Sequence, residues 1–375
     1  MILRKATSDD IKLIFDWAND IEVRKNAFNQ DPIAYEDHKK WFNNKLEEAH
    51  SFIYILEVNN VPAGQIRFDL RLNSWYIDYS VSVSFRSQNL GEYLIRLGIS
   101  HLSKELNYRG EEIIGEVKKE NIASQKTFIR CGFDKLENEG AFIFKQNPKL
   151  QNYVVVSSKD WNQNLTTDLK STFDQYNFHY IKHKSSFDPV MLKAIKPKMV
   201  FIPHWSFIIP KEIFSEFECI IFHMTDLPYG RGGSPLQNLI VRGHKKTKIS
   251  AIRCVEELDA GPIFAKVDLD LSGSAQEIFE RANTKIEEII RYIIVEKPLP
   301  VEQTGEVVTF KRRTPEMSNL KDVSEIEKVY DYIRMMDAEG YPKAFLETEN
   351  LKIEFENASL KGDSEIIANV RIIKK

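Results

Sequence analysis

The stretch 222–240, FHMTDLPYGRGGSPLQNLI, constrains the fold of this chain more than any other. A histidine, His223, ends the apolar run ECIIF, which predicts a buried strand. The residues from Asp226 to Pro235 are rich in Gly and Pro, which stop regular structure and let a ligand approach the backbone closely. The run LQNLIVRG then predicts a helix, with Ser234 able to cap it. This order of elements presents a polar group at the carboxyl end of a strand, where α/β sheets bind ligands.

A second polar residue completes the pattern downstream. The segment ISAIRCVEELDAGPIFAK places Asp259 in a tight LDAG turn between two predicted strands. A lone His at the end of a strand is usually a satisfied core residue. That His223 and Asp259 form an acid–base pair is what the family resemblance described next implies.

His223 with the DLPYGRG that follows, and Asp259 in the pattern L-D-x-G-x-I, resemble the formyltransferases that use 10-formyltetrahydrofolate. That family includes methionyl-tRNA, glycinamide ribonucleotide and nucleotide-sugar formyltransferases. The resemblance covers residues 152–300 and includes VFIPHWSFIIPKEIF, which is similar to the family's folate-pocket loop. It implies that His223 stabilises the formyl oxyanion and that Asp259 takes the amine proton or holds His223 in its charged form.

The same resemblance implies two sets of binding residues. The folate pocket is expected to contain Trp205, Pro210, Leu227, Pro228, Val255 and Leu258. The acceptor is expected to contact Asp226, Arg231, Gly232, Gly233, Ser234 and Gln237. We expect Asp226 to meet the acceptor amine. For Arg231, a contact with a nucleotide diphosphate and a purely structural role are both open.

One position departs from the family pattern. The family has N-x-H where this chain has Ile221 two residues before His223, and that Asn normally helps to hold the formyl oxygen. Asn238, in the first turns of the predicted helix, is our candidate replacement and our third predicted catalytic residue. The alternative is that Asn238 faces solvent or contacts only the acceptor.

Residues 1–147 predict a separate domain with strands and helices in the order of a GNAT-type acetyltransferase. The segments RSQNLG (86–91) and NIASQKTFIRCGF (121–133) resemble the family's coenzyme A loop and a following family motif. They imply that Arg86, Gly91 and Asn121 contact acetyl-CoA, with the pyrophosphate held at a helix N-terminus.

Two departures weaken the acetyltransferase interpretation. Asn89 stands where the family has the glycine closest to the phosphates, and Phe128 stands where many members have a tyrosine that protonates the leaving thiolate. The domain either binds acetyl-CoA and is active, or retains the fold only to pack or to help bind substrate. We expect it to bind acetyl-CoA weakly or not at all.

Charge and composition narrow the class of protein. A formal net charge of −3 argues against a dedicated nucleic-acid binder, which would carry a basic field. The three cysteines, Cys131, Cys219 and Cys254, lie in apolar contexts with the wrong spacing for zinc, and no metal site is expected. The start MILRKATSDD has no apolar signal-peptide core, and no stretch approaches transmembrane length, which predicts a cytoplasmic protein with no membrane contact.

The predicted fold class is multidomain α/β. Residues 1–147 form a GNAT-like mixed sheet, 152–300 an open, mainly parallel formyltransferase core, and 301–375 a small β-rich C-terminal subdomain. This combination resembles proteins of bacterial nucleotide-sugar pathways for cell-surface polysaccharides, especially the pseudaminic-acid route. It implies formyl transfer to the amine of a nucleotide-linked sugar, such as UDP-4-amino-4,6-dideoxy-2-acetamido sugar. A homodimer, and UDP versus dTDP, are left open.

Two rival functions remain. In the first, the protein is an acetyl-CoA-dependent N-acetyltransferase acting on the same sugar, and Ile221 has silenced the formyl site. In the second, it is a non-catalytic sensor or binding module for nucleotide sugars. The imperfect motifs at both sites are the only support for the second rival.

Overall fold

The computed structural model describes residues 1–105, 108, 110–147 and 150–375. They divide into two compact units, unit 1 with Met1–Ser158 and Thr166–Val200, and unit 2 with Lys159–Leu165 and Phe201–Lys375. The predicted linker 145–152 includes residues 148–149, which lie outside the described residues. None of the helices in the described part of the chain is long and apolar enough to cross a membrane.

Unit 1 begins with a seven-stranded sheet and five helices. The strands are β1 (Ile2–Lys5), β2 (Ser51–Val58), β3 (Val61–Arg71), β4 (Ser74–Val81), β5 (Glu112–Lys118), β6 (Asp134–Asn138) and β7 (Ala141–Gln146). The helices are α1 (Ile11–Ala18), α2 (Ile21–Asn26), α3 (Tyr35–Glu47), α4 (Leu90–Leu102) and α5 (Ile122–Arg130). The strand order is β1-β2-β3-β4-β5-β7-β6.

The sheet opens between β4 and β5, its one parallel neighbour pair among those with described registers. Residues 74–77 of β4 pair with 112–115 of β5, but both strands continue beyond the last pair. The residues after it, 78–81 on β4 and 116–118 on β5, line a cavity of about 1140 Å³. The helices α4 and α5 also contribute to its wall. The sheet therefore has a cleft where its parallel strands part, as expected of a GNAT-type domain.

The remainder of unit 1 comes from the chain after the predicted linker. It contains β8 (Gln151–Val156), α6 (Leu165–Thr172), β9 (Tyr176–Ile181), α7 (Pro189–Ile195) and the start of β10 (Met199–Pro203). Strands β8 and β9 pair in parallel.

Buried polar contacts join this part to the first sheet's helices. The guanidinium of Arg96 lies 2.8 Å from Nδ1 of His179 and donates to the carbonyl of Arg130 at 2.6 Å. Tyr93 Oη donates to the carbonyl of Ser185 at 2.6 Å. In the compact units, β8, β9 and α7 belong with residues 1–147, so that the units divide the chain elsewhere than the predicted limits 147 and 152.

Unit 2 contains the end of β10 and most of the predicted core. Its strands are β11 (Cys219–His223), β12 (Tyr229–Gly232), β13 (Lys246–Arg253), β14 (Ile263–Asp270), β15 (Val308–Phe310), β16 (Ala344–Glu347), β17 (Leu351–Lys361) and β18 (Glu365–Lys374). Its helices are α8 (Lys211–Phe214), α9 (Pro235–Val241), α10 (Ala275–Glu296) and α11 (Ile326–Arg334).

The core sheet is mixed. The strand order of this six-stranded sheet is β14-β13-β11-β10-β8-β9. Strands β11, β13 and β14 are antiparallel neighbours, unlike the parallel pair β8 and β9. The long helix α10 starts at a capping box in which Ser274 and Glu277 bond each other's backbone N–H, and it buries an isoleucine-rich face.

Two smaller sheets complete unit 2. Strand β12, from the Gly-rich loop, pairs in parallel with β15, and the antiparallel strands β16, β17 and β18 form the C-terminal sheet. Leu320, Ile333 and Ala344 form the small core between that sheet and α11. The predicted fold class is confirmed: a GNAT-type domain, a formyltransferase core and a β-rich C-terminal subdomain.

Candidate functional site

His223 is the last residue of β11 and is only 7% exposed. Its Nε2 lies 2.8 Å from the carbonyl oxygen of Gly230 in the Gly-rich loop. Because a carbonyl only accepts hydrogen bonds, Nε2 carries a proton and donates it. The opposite ring nitrogen, Nδ1, lies 3.5 Å from Oδ2 of Asp259. The ring is therefore oriented from both sides, with a donor nitrogen facing the loop.

Asp259 occupies the predicted turn between β13 and β14 in a left-handed conformation, with φ of 54°. Its side chain is 8% exposed, and Oδ2 accepts a hydrogen bond from the backbone N–H of Gly232 at 2.9 Å. One carboxylate oxygen thus contacts both the imidazole and the loop. The predicted pairing of His223 with Asp259 has a direct geometric counterpart.

The loop requires glycine at position 232. Gly232 has φ of 105°, and a Cβ on it would lie 2.4 Å from the carbonyl oxygen of Phe310 on β15. No side chain fits at that distance, so glycine allows the strand pairing that brings the Gly232 N–H to Asp259.

The sequence pattern did not identify Gln303, which holds the other side of the Asp259 turn. Its Nε2 donates to the carbonyls of Asp259 at 2.8 Å and of Gly261 at 2.9 Å, and its Oε1 accepts from the guanidinium of Arg231. Gln303 lies in an irregular segment with no motif, so no sequence signal pointed to it. We interpret it as a positioning residue for Asp259.

Replacing Gln303 should lower kcat without a matching change in KM. Gln303→Glu keeps the acceptor for Arg231 but loses both donors to the Asp259 turn. We expect Gln303→Glu and Gln303→Ala to lower kcat alike, by on the order of 10- to 100-fold, because the carboxylate shifts from its working position. Steady-state kinetics on both variants, with Gln276→Ala on α10 as a control, checks this. Normal kcat in Gln303→Glu would show that the donors do not matter.

The catalytic role predicted for Asn238 does not agree with its contacts. Asn238 is 6% exposed, and its Nδ2 donates to the carbonyls of Gly233, Ser234 and Lys311 at 3.0, 3.1 and 2.9 Å. Its Oδ1 accepts from Arg242 at 3.0 Å. The amide is fully used in fixing the loop and is not available to a formyl oxygen. Asn238 therefore does not replace the Asn missing at Ile221.

Other predicted acceptor contacts are also committed to the protein. Asp226 is ion-paired with Lys266, which speaks against its predicted contact with the acceptor amine. Gln237 is buried and donates to the carbonyl of Met335 at 3.2 Å. Arg231 bonds Gln303 and forms an ion pair with Glu257 at 2.9 Å, which favours the structural alternative.

Ser234 and Gly233 contribute to the loop through their contacts with the chain after β15. Ser234 is the residue before α9, but its side chain makes no capping hydrogen bond, contrary to the sequence prediction. Its Oγ instead accepts from the N–H of Arg313 at 3.1 Å, and the N–H of Gly233 donates to Phe310 at 3.2 Å.

The predicted folate segments lie next to one another. The ion pair between Lys211 and Glu256, at 2.8 Å, joins the end of the 205–210 segment to the 255–258 turn. These segments expose Ile208 by 89% and Leu258 by 67%. Exposed apolar side chains beside buried polar ones suit a flat heterocycle with a polar edge.

The six predicted folate residues differ in burial. Leu227 and Pro228 are buried, Trp205 and Val255 are half-buried, and Pro210 and Leu258 are exposed. Their burial therefore ranges from the core to the surface. Burial and the charge of Lys159 lower the pKa of His204 to about 4, so that this ring is neutral near pH 7.

In unit 1, the predicted coenzyme A contacts Arg86, Gly91 and Asn121 all line the cavity between β4 and β5. Asn89 adopts φ of 60° immediately before α4, the left-handed conformation that the family's glycine would provide. The guanidinium of Arg86, however, is ion-paired with Asp20.

Phe128 serves the core of unit 1. It is 2% exposed and stacks on Phe144 with ring centroids 5.1 Å apart. A Cβ on Gly115 would lie 2.3 Å from the ring, so the ring fills the space over that glycine. The side chain has no proton to give to a thiolate.

Three family models match the chain. Residues 1–134 match an acetyltransferase (GNAT) domain, residues 128–291 match formyl transferase, and residues 315–373 match the methionyl-tRNA formyltransferase C-terminal domain. Within the described residues, no group of three or more His, Cys, Asp or Glu side chains is arranged to hold a metal ion.

Curated proteins of known name match a little under half of the chain. The chain is 31% identical over 169 residues to a methionyl-tRNA formyltransferase of Bacillus subtilis, covering 43% of this chain and 53% of that protein. It is 27% identical over 195 residues to that of Wolbachia pipientis, covering 49% and 63%. The chain thus spans between about half and two thirds of the length of these curated relatives.

A solved structure matches more completely. The chain is 48% identical to a methionyl-tRNA formyltransferase from Clostridium thermocellum, covering 60% of this chain and 100% of that chain, with a TM-score of 0.59. The predicted enzyme class, a formyltransferase, and the predicted one-carbon donor, a formylated tetrahydrofolate, are those of the family that these matches define. The chain belongs to the formyltransferase family and carries a GNAT-type domain at its N-terminus.

Proposed function

We propose that the protein transfers a formyl group from 10-formyltetrahydrofolate to the amine of a nucleotide-linked amino sugar, of the kind used in pseudaminic-acid-type pathways. The observation that carries formyl transfer is the pair His223–Asp259, with Nδ1 and Oδ2 3.5 Å apart beneath the Gly-rich loop. The donor supplies a formyl group already activated for transfer to an amine.

The two side chains divide the proton chemistry. His223 Nε2, which donates to the Gly230 carbonyl here, donates instead to the carbonyl oxygen under attack and stabilises its negative charge. Asp259 accepts the proton that the attacking amine loses, directly or through water. When the bond between the formyl carbon and the folate nitrogen breaks, that proton passes to the folate nitrogen and tetrahydrofolate leaves. The Gly232 N–H keeps the carboxylate in place during this exchange.

Charge supports a small acceptor over tRNA. The relatives described above are named methionyl-tRNA formyltransferases, and methionyl-tRNA is therefore the rival acceptor. Residues 315–373, which match the model of the methionyl-tRNA formyltransferase C-terminal domain, carry 13 Asp and Glu against 7 Lys and Arg. A surface for nucleic acid would carry the opposite excess.

The test is a mass spectrum of the acceptor after incubation with each donor separately. We expect 10-formyltetrahydrofolate to add one CO unit to a UDP-linked 4-amino-4,6-dideoxy sugar. Methionyl-tRNA is offered in parallel, and formylation of the tRNA alone would replace the proposed acceptor. No modification of either acceptor would support the sensor alternative.

A second candidate function, acetyl transfer from acetyl-CoA, is favoured by the cavity in unit 1, which contains all three predicted coenzyme A contacts. The same incubation detects it as a gain of one C2H2O unit. The ion pair of Arg86 with Asp20 and the absence of a donor at Phe128 oppose this function.

We therefore expect acetyl-CoA to bind weakly or not at all, and no acetylated product to form. Calorimetric titration with acetyl-CoA measures the affinity, and Asp20→Asn, which frees Arg86, should strengthen whatever binding occurs. A low-micromolar Kd for the wild type, about −8 kcal/mol, together with acetylated sugar, would contradict this expectation.

A further inference from the structure

A short cationic run follows β15: Lys311, Arg312 and Arg313. Lys311 and Arg312 are exposed, and Arg313 is half-buried. Arg313 donates to the carbonyl of Met317 and lies over the ring of Tyr332, 5.4 Å from its centroid. Among the acidic side chains of the described residues, none is within ion-pair distance of these three cations. The run is thus a patch of uncompensated positive charge in a chain of net charge −3.

The backbone of this run is bonded to the Gly-rich loop. Asn238 Nδ2 donates to the carbonyl of Lys311 at 2.9 Å, and the N–H of Arg313 donates to Ser234 Oγ at 3.1 Å. Between them, a Cβ on Gly233 would lie 2.6 Å from Cβ of Arg312, so that only glycine lets the two segments approach so closely. The cations are therefore held at fixed positions along the loop.

The same loop carries the link to the catalytic pair. Gly232, whose N–H lies 2.9 Å from Oδ2 of Asp259, is the neighbour of the glycine that contacts Arg312. The Arg312 side chain therefore begins next to Gly233, one residue from the Gly232 that bonds Asp259. In a nucleotide-linked amino sugar, a single sugar ring separates the amine from the diphosphate. In this protein, the cationic run and the carboxylate are both in contact with adjacent glycines of one loop.

We propose that Lys311 and Arg312 bind the diphosphate of a nucleoside diphosphate-linked acceptor while its amine lies at Asp259, and that Arg313, held by Met317 and Tyr332, adds positive charge beside them. Arginine's planar fork matches phosphate oxygens in pairs, and a lysine adds a mobile third donor. The inference rests on the proposed function, since it assigns a subsite to that acceptor. A nucleic-acid backbone offers the same phosphate chemistry, but the acidic segment 315–375 that follows would repel a long polyanion.

Calorimetric titration with UDP, dTDP and the phosphate-free nucleosides tests the subsite without any transfer reaction. We expect the diphosphates to bind and the nucleosides to bind far more weakly. Arg312→Gln should lower the diphosphate affinity about tenfold or more, and Arg312→Glu further, because charge-assisted hydrogen bonds to phosphate are lost. Arg371→Ala, which removes an exposed arginine on the C-terminal sheet, is the matched control and should change nothing.

Kinetics with the amino sugar gives the second readout. Arg312→Gln should raise KM for the acceptor and leave KM for the folate and kcat nearly unchanged. Three results would overturn the proposal. The wild type could fail to bind UDP or dTDP, or Arg371→Ala could lose as much diphosphate affinity as Arg312→Gln. The third is that the protein binds tRNA and that Arg312→Gln weakens this binding. Diphosphate binding that depends on Arg312, without formylation of any sugar, would retain the subsite and refute the proposed function instead.

Discussion

His223→Ala and Asp259→Asn should each lower formyl transfer by on the order of 10² to 10⁴-fold while leaving the fold intact. The ring of His223 lies within ion-pair distance of the carboxylate of Asp259. The first change removes the hydrogen-bond donor for the developing oxyanion, and the second removes the proton acceptor without changing shape. Single-turnover rates with saturating donor and acceptor measure the loss.

The controls separate chemistry from folding. His50→Ala removes an exposed histidine from unit 1 and should keep full activity. Far-ultraviolet circular dichroism and urea unfolding should show that both site variants fold like the wild type. If either variant retained more than about a tenth of wild-type turnover, it would fall well short of the loss expected for such a group, and the assignment of the pair would be wrong.

The pair was predictable from the family resemblance rather than from strand register. The apolar run of β11 ends at His223, and Asp259 lies in the turn between β13 and β14. Because β13 runs antiparallel to β11, its last residue, Arg253, pairs with Ile220 near the start of β11, and the turn begins at the far end from His223. The distance of 3.5 Å between the two side chains therefore depends on the path of the segment that joins β13 to β14.

The surroundings of the pair depend on contacts that no local pattern encodes. Gln303 and β15 come from an irregular stretch after α10, and reach the loop only through tertiary pairing with β12. Acceptor contacts were predicted for Asp226, Gln237 and Arg231. In the structure these side chains contact Lys266, Met335 and Glu257, respectively.

The division of the chain into compact units also differs from the domain limits that the motifs predict. The predicted core starts at residue 152, whereas Thr166–Val200 belongs to the first compact unit, in which buried Arg96 contacts His179. The predicted domain limits stay a prediction. Hydrophobic alternation predicts which face of an element is buried, but it does not predict which partner covers it.

The predicted role of Asn238 shows the same limit, and its replacement has a large expected effect of a different kind. Asn238→Ala removes a buried amide that donates to three backbone carbonyls, of Gly233, Ser234 and Lys311. A buried acceptor left without its donor costs about 1–3 kcal/mol. The three carbonyls share one amide, and the structure around them relaxes in part once the amide is removed. We therefore expect the free energy of unfolding to fall by about 2–4 kcal/mol.

Urea unfolding of Asn238→Ala measures this loss, and Asn350→Ala, at an exposed asparagine, should unfold like the wild type. Turnover should fall together with stability, because the loop that holds Asp259 loses its tie to the chain after β15. An oxyanion donor would behave differently, lowering kcat by on the order of 10²-fold at unchanged stability. A wild-type unfolding midpoint with such a drop in kcat would therefore restore the catalytic assignment of Asn238.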